Sequence, residues 1–179
     1  MKNLSTFVLL CMICAAPLFG RRPAMGPDPN TYLTEIVKQM QIPWPNNRTI
    51  NLVFHGHSVP AGYFKTPVVE TFNAYPHLLH VALKELYPNA VINVIVTAKG
   101  GESSDEGAAR FEEDVLRHKP DVVMIDYGLN DRRIGLKEAE KAWVSMIYKA
   151  KVQGARVILL TPTPDMTANL NNPQDALHK

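Results

Sequence analysis

From residue 31 onward the chain alternates between short apolar runs and segments whose apolar positions recur at helical spacing. INLVFH (50–55), VINVIVTA (91–98), VVMIDY (122–127) and RVILLTP (156–162) are of strand length, rich in Val and Ile, and nearly continuous rather than alternating. Such runs predict strands buried on both faces of a parallel sheet. Between them, Leu79, Ala82, Leu83 and Leu86 mark one helical stripe, and Ala139, Ala142, Trp143, Met146, Ile147 and Ala150 mark another, which Gly154 should end from the left-handed position past its C-terminus. Strands and helices in alternation predict a doubly wound α/β domain with right-handed crossovers. In such folds a site is expected at the carboxyl ends of the strands.

The first twenty residues break this pattern. Lys2 precedes the charge-free run LSTFVLLCMICAAPLFG, followed by Arg21 and Arg22. The run is short of the roughly 20 residues a spanning helix needs, and Ala15, Ala16 and Gly20 offer small-residue cleavage points. Residues 1–20 therefore read as a signal peptide, with an uncleaved N-terminal anchor as the alternative, residues 21–49 as an extension holding a short helix, and 50–179 as the domain proper. Either reading of the leader makes the domain exported, secreted or periplasmic. Cys11 and Cys14 both fall inside the apolar run, so their spacing reflects leader composition rather than redox or metal chemistry. The exported domain then holds no cysteine, which excludes disulfides, zinc–thiolate sites and a cysteine nucleophile, and leaves burial to stabilise the core. With 46% hydrophobic and 20% charged residues the composition is ordinary for a globular domain, and a net charge of +2 without any basic run offers nucleic acid no footprint.

Each of the first three strands runs into a polar, glycine-containing turn: GHSVPAGY with Gly56, His57 and Ser58, KGGESSDE with Gly100 and Gly101, and GLND from Gly128 to Asp131. No turn spells a dinucleotide fingerprint or a P-loop. Together they supply a hydroxyl nucleophile, a backbone N–H that no side chain shields, and an Asn amide. That is the equipment of acyl transfer, in which a serine attacks an ester carbonyl and the developing oxyanion meets preorganised donors. A nucleophile elbow of the α/β-hydrolase type is disfavoured because Pro60 stands where G-x-S-x-G needs its last glycine.

Over residues 50 to about 164 the chain resembles the SGNH hydrolases, the GDSL-type esterases, whose blocks are a Ser after strand one, a Gly after strand two and an Asn in G-x-N-D after strand three. The resemblance implies a flavodoxin-like three-layer α/β/α fold with a parallel sheet ordered 2-1-3-4, its fifth strand missing from this chain. It also implies Ser58 as nucleophile and oxyanion N–H, Gly101 as a second N–H with Gly100 the alternative, and the Asn130 amide as a third donor. The implied activity is hydrolysis of carboxylic esters, O-acetyl groups on carbohydrates above all, with Tyr63 and Phe64 available to stack on a sugar ring. No metal and no organic cofactor is implied, and no partner besides the ester substrate: no nucleic acid, and no membrane beyond an N-terminal anchor. A secreted carbohydrate-binding domain without turnover is the alternative function.

Two departures qualify the resemblance. Gly-His-Ser replaces the usual Gly-Asp-Ser; His57 is not expected to reach the Ser58 hydroxyl, because neighbouring residues leaving a strand point to opposite sides. His55 reads as a core or loop histidine, His77, His80 and His118 sit on predicted helices away from the strand ends, and Asp131 is expected to hold its loop. At the other end, DALHK carries Asp175 and His178 three residues apart, as the Asp-x-x-His block of the family does. Asn172, Pro173 and Asp175 suit a helix N-cap, first position and third position, however. The pair is expected to open a helix, the catalytic block to lie past a fifth strand beyond Lys179, and a chain without it to be nearly inactive; catalysis by Asp175 and His178 is the alternative.

Overall fold

The structure, a computed structural model, describes residues 27–162. The expectations about residues 1–20, Cys11 and Cys14, and about Asp175 and His178, lie outside the described residues.

Four parallel strands, β1 (Thr49–Gly56), β2 (Val91–Val96), β3 (Val122–Asp126) and β4 (Arg156–Leu159), pair in the order β2-β1-β3-β4. Strand geometry alternates side chains between faces, and here both faces are apolar. Val53, Val123 and Ile125 face one cluster with Phe111, Met146 and Ala150. Ile50, Leu52, Phe54, Val122 and Met124 face another with Met40 and Ile92. The helices that cover these faces are α1 (Thr34–Gln41) and α3 (Tyr75–Leu86) on the second side, and α4 (Ser104–Ala109), α5 (Phe111–Asp114) and α6 (Leu136–Val152) on the first. A four-residue helix, α2 (Ser58–Ala61), sits directly on the end of β1. This is the three-layer arrangement with the 2-1-3-4 order that the sequence predicts.

The stripe on α6 is buried as expected, with Ala139, Ala142, Met146 and Ala150 inside and Trp143 and Ile147 packed partly against them. Gly154 takes φ +82° just past the helix, the left-handed conformation a glycine tolerates. The other stripe is not buried as predicted. On α3, Leu83 packs on the core together with Tyr75, while Leu79 and Leu86 remain 37% and 67% exposed. Helical spacing gives a stripe but not its rotation about the axis, and the inward-facing Tyr75 and Pro76 at the first turn set that rotation here. Full burial on both faces likewise holds for β1 and β3, which have a strand on each side, and not for β2 and β4, which among the described residues have one neighbour each.

Candidate active site

The carboxyl ends of β2, β1 and β3 lie side by side, and their loops are joined by named bonds. At Gly56 a Cβ would fall 2.5 Å from the Asp126 carbonyl oxygen and 2.9 Å from Pro60, so only glycine lets the loop that carries Ser58 cross this close to β3. The His57 N–H donates to that same Asp126 carbonyl at 3.1 Å. Ser58 then opens α2, half-buried, and its carbonyl accepts from Gly62 and Tyr63, each at 3.1 Å. Gly62, at φ +100°, turns the chain away against Glu70, whose N–H donates to the Gly62 carbonyl at 2.8 Å.

His57 is the feature that sequence reasoning placed wrongly. Its Nδ1 lies 3.3 Å from Ser58 Oγ and accepts from the Val59 N–H at 3.3 Å. Its Nε2 lies 3.3 Å from Asp126 Oδ1, and Asp126 Oδ2 accepts from the Tyr75 hydroxyl at 3.1 Å. The opposite-sides expectation fails because the strand ends at Gly56: His57 already acts as the N-cap of α2, with φ −96° and ψ −144°. Neighbouring side chains at a helix start are not constrained to opposite faces. The ring is 1% exposed, and Asp126 is 5% exposed.

The second loop is tied to the first where the Lys99 N–H donates to the Gly56 carbonyl at 2.9 Å, and where Tyr63, five residues past the nucleophile, lays its ring on Gly100. A Cβ on Gly100 would meet that ring at 3.1 Å, whereas Gly101, at φ +80°, has open space where its Cβ would stand. Of the two glycines, Gly101 is thus the one whose surroundings leave room for an approaching group. The third loop meets the second through Asn130, whose Nδ2 donates to the Glu102 carbonyl at 2.8 Å. An amide nitrogen carries two N–H groups, so this bond fixes the plane of the amide and leaves a second donor. Asp131 is fully buried and holds the same loop: its Oδ1 accepts from the Ser104 N–H at 2.7 Å and its Oδ2 from Trp143 Nε1 at 2.6 Å.

Beneath the second and third loops lies a buried polar cluster that no sequence motif announced. Glu102 Oε1 accepts from Arg110 Nε at 2.7 Å, and its Oε2 accepts from Arg110 Nη2 and from the Tyr127 hydroxyl, the latter at 2.9 Å. Arg110 Nη1 also reaches Asp114 at 2.8 Å. Burial opposes the Arg110 charge, but the hydrogen bonds to Glu102 and Asp114 outweigh it and hold its pKa above the usual arginine range. Tyr127 is pushed up, first by burial and then by the Glu102 charge. His55 completes the cluster, with Nδ1 2.8 Å from Thr97 Oγ1 and Nε2 3.1 Å from both the Gly107 carbonyl and the Tyr127 hydroxyl. A carbonyl only accepts, so Nε2 carries the proton. Burial, with the Arg110 charge adding to it, lowers the His55 pKa to about 4. It is the core histidine the sequence suggests. His77 and His80 lie on α3 and His118 in a short 3-10 turn, away from these loops.

A model of the GDSL-like lipase/acylhydrolase family matches residues 54–178, a span that includes Ser58, Gly101 and Asn130 and also Asp175 and His178. An acetylxylan esterase of Geobacillus stearothermophilus is 32% identical over 92 residues, 45% of this chain and 42% of that protein. The chain thus spans under half the length of the curated relative it matches. Among solved structures, an acetyl xylan esterase from Geobacillus stearothermophilus superposes with a TM-score of 0.55 at 27% identity, over 63% of this chain and 60% of that one. A two-domain esterase active on acetylated mannans superposes with a TM-score of 0.62 at 22% identity, over 72% of this chain and 33% of that one; at that identity the likeness shows the fold.

Proposed function

The chain belongs to the GDSL-like lipase/acylhydrolase family, and on that premise we propose that it is an exported serine esterase that removes O-acetyl groups from carbohydrates through an acyl-enzyme on Ser58. The observation that carries this reading is the junction of the three loops. The nucleophile turn, an unshielded Gly101 and an Asn130 amide pinned to the Glu102 carbonyl at 2.8 Å meet at neighbouring strand ends. In the reaction, Ser58 Oγ gives up its proton to the histidine of the family's Asp-x-x-His block, for which His178 is the candidate in this sequence, and bonds to the acetyl carbon; that histidine passes the proton to the sugar oxygen as the ester bond breaks. The charge that develops on the carbonyl oxygen is taken by the Ser58 and Gly101 N–H groups and the second Asn130 N–H, and the sugar hydroxyl departs protonated. Water then repeats the attack on the acyl-serine and releases acetate.

Carbohydrate as the alcohol side is supported by the acetylxylan esterases that the chain resembles. Tyr63, whose ring lies on Gly100, and Phe64 are 38% and 59% exposed and present apolar faces of the kind that stack on sugar rings. Export, to the secreted or periplasmic space, rests on the leader-like residues 1–20.

The test is acetate release from acetylated xylan, acetylated mannan and p-nitrophenyl acetate. A full-length form that carries the Asp-x-x-His block is expected to release acetate, Ser58→Ala to release none, and Asn130→Ala to run about a hundredfold slower with its fold intact. Release that survives Ser58→Ala, or no release from any of the three substrates, overturns the proposal.

A further inference from the structure

The contact between His57 and Ser58 has a consequence that the family pattern does not contain. Because the Val59 N–H donates to His57 Nδ1 at 3.3 Å, that nitrogen carries no proton, and the proton sits on Nε2, 3.3 Å from the Asp126 carboxylate. Nδ1 can therefore only accept, and the group placed to donate to it is the Ser58 hydroxyl, 3.3 Å away. The ring cannot turn over to offer the other nitrogen. It is closed in at 1% exposure, and Asp126 is itself fixed by the Tyr75 hydroxyl at 3.1 Å.

We infer that His57 is a positioning residue for the nucleophile: a bare Nδ1, locked by Asp126 and Tyr75, holds the Ser58 hydroxyl and the first turn of α2 in one orientation. The inference rests on Ser58 being the nucleophile. It assigns to a histidine and a carboxylate on the next strand the holding role that Asp has in the Gly-Asp-Ser spelling. It also gives Asp126 a reason to stand, 5% exposed, at the end of an otherwise apolar strand. The ring is 1% exposed and its Nε2 is taken by Asp126, so its part is orientation of the hydroxyl rather than exchange of protons with solvent or the departing alcohol.

The two isosteric amides separate the possibilities. Asn places Oδ1 where Nδ1 stands and accepts the same two hydrogen bonds, but it cannot take up a proton as a base does. Gln places its amide nitrogen where Nε2 stands, keeps the Asp126 contact, and leaves Val59 and Ser58 without their acceptor. The measurement is the rate at which a fluorophosphonate becomes attached to Ser58, with loss of fluoride, followed by intact mass on the folded full chain, with circular dichroism and melting temperature alongside. His57→Asn is expected to label within about threefold of the parent, since Asn caps a helix as well as any residue. His57→Gln is expected to label on the order of a hundredfold more slowly, the cost of a misplaced reacting group.

Folded His57→Asn that labels as slowly as His57→Gln shows that an acceptor at the Nδ1 position does not by itself hold the hydroxyl, and overturns the positioning role assigned to it. Folded His57→Gln that labels at the parent rate, even with a lowered melting temperature, leaves His57 a stabilising residue and also overturns it. A parent that is not labelled at Ser58 removes the nucleophile itself, a result distinct from labelling that ignores position 57.

Discussion

Ser58 and Asn130 stand on neighbouring strand ends and are held by different kinds of chemistry. The Asn130 side rests on charges. Its amide is bonded to Glu102, whose carboxylate is gripped by Arg110 and Tyr127, and the side chains of this ion pair are 13% and 10% exposed. The Ser58 side rests on a run of single contacts at 3.1 to 3.3 Å through His57, Asp126 and Tyr75. Oxyanion donors work by standing still, since their value lies in needing no reorganisation when charge develops. In the proposed reaction Ser58 loses a proton and moves onto a carbon, and its hydroxyl is held through a single hydrogen-bond acceptor rather than through an ion pair of its own. On the roles proposed for Ser58 and Asn130, the two halves of the site are held differently for a chemical reason.

The heaviest blow to that difference is Arg110→Ala. It leaves the Glu102 carboxylate buried with the Tyr127 hydroxyl as its remaining side-chain donor, and breaking a buried pair from one side costs about 3–5 kcal/mol. Urea unfolding should show a loss of that size. A variant that loses less than about 1 kcal/mol, the yield of an exposed pair, would falsify the claim that the oxyanion side is built on a buried lock.

How much of this was legible in the sequence varies along the chain. The Val- and Ile-rich runs place all four strands, because burial on both faces leaves a continuous apolar signature. The polar turns after three of them meet at neighbouring strand ends, where this kind of fold is expected to hold a site. The Glu102–Arg110–Tyr127–His55 cluster was not legible. Its members come from a loop, a helix end and two strand regions up to 72 positions apart, and no periodicity links residues that meet only through sheet packing. His57 was misplaced for a local reason: alternation holds inside a strand, and β1 ends one residue earlier.

The charged half should also carry an acid sensitivity through His55. His55 is held neutral, its pKa lowered to about 4 against an ordinary value of 6.5. Between these values the unfolded chain binds a proton that the folded protein refuses, so stability rises with pH across the window. The contribution is fully present above about pH 6.5 and is lost as pH falls through 4. A shift of this size corresponds to roughly 3 kcal/mol as an order of magnitude. The direct check is the His55 imidazole signal by NMR, which should not titrate between pH 8 and 5. A midpoint near 6.5 would mean that the cluster admits the imidazolium and that the oxyanion side is less closed than its geometry indicates.

The finest comparison sets two hydroxyls against each other. Tyr127→Phe and Tyr75→Phe each remove one donor to a carboxylate, Glu102 on the oxyanion side and Asp126 on the nucleophile side. Tyr127 is fully buried, and its hydroxyl also receives His55 Nε2 and Arg110 Nη2. Its loss takes a donor from the Glu102 carboxylate, while His55 Nε2 keeps the Gly107 carbonyl, for about 1–3 kcal/mol. Tyr75 is half-buried, so water can replace part of what its hydroxyl gave, and about 0.5–1 kcal/mol is expected. Labelling at Ser58 should respond in the opposite order. Tyr75→Phe loosens Asp126 and with it the ring that holds the nucleophile, whereas after Tyr127→Phe the Glu102 carbonyl that pins Asn130 is still anchored by the Arg110 fork. If the same tyrosine dominates both stability and labelling rate, the two halves are one mechanical unit, and the contrast between a stiff oxyanion side and a yielding nucleophile side is wrong.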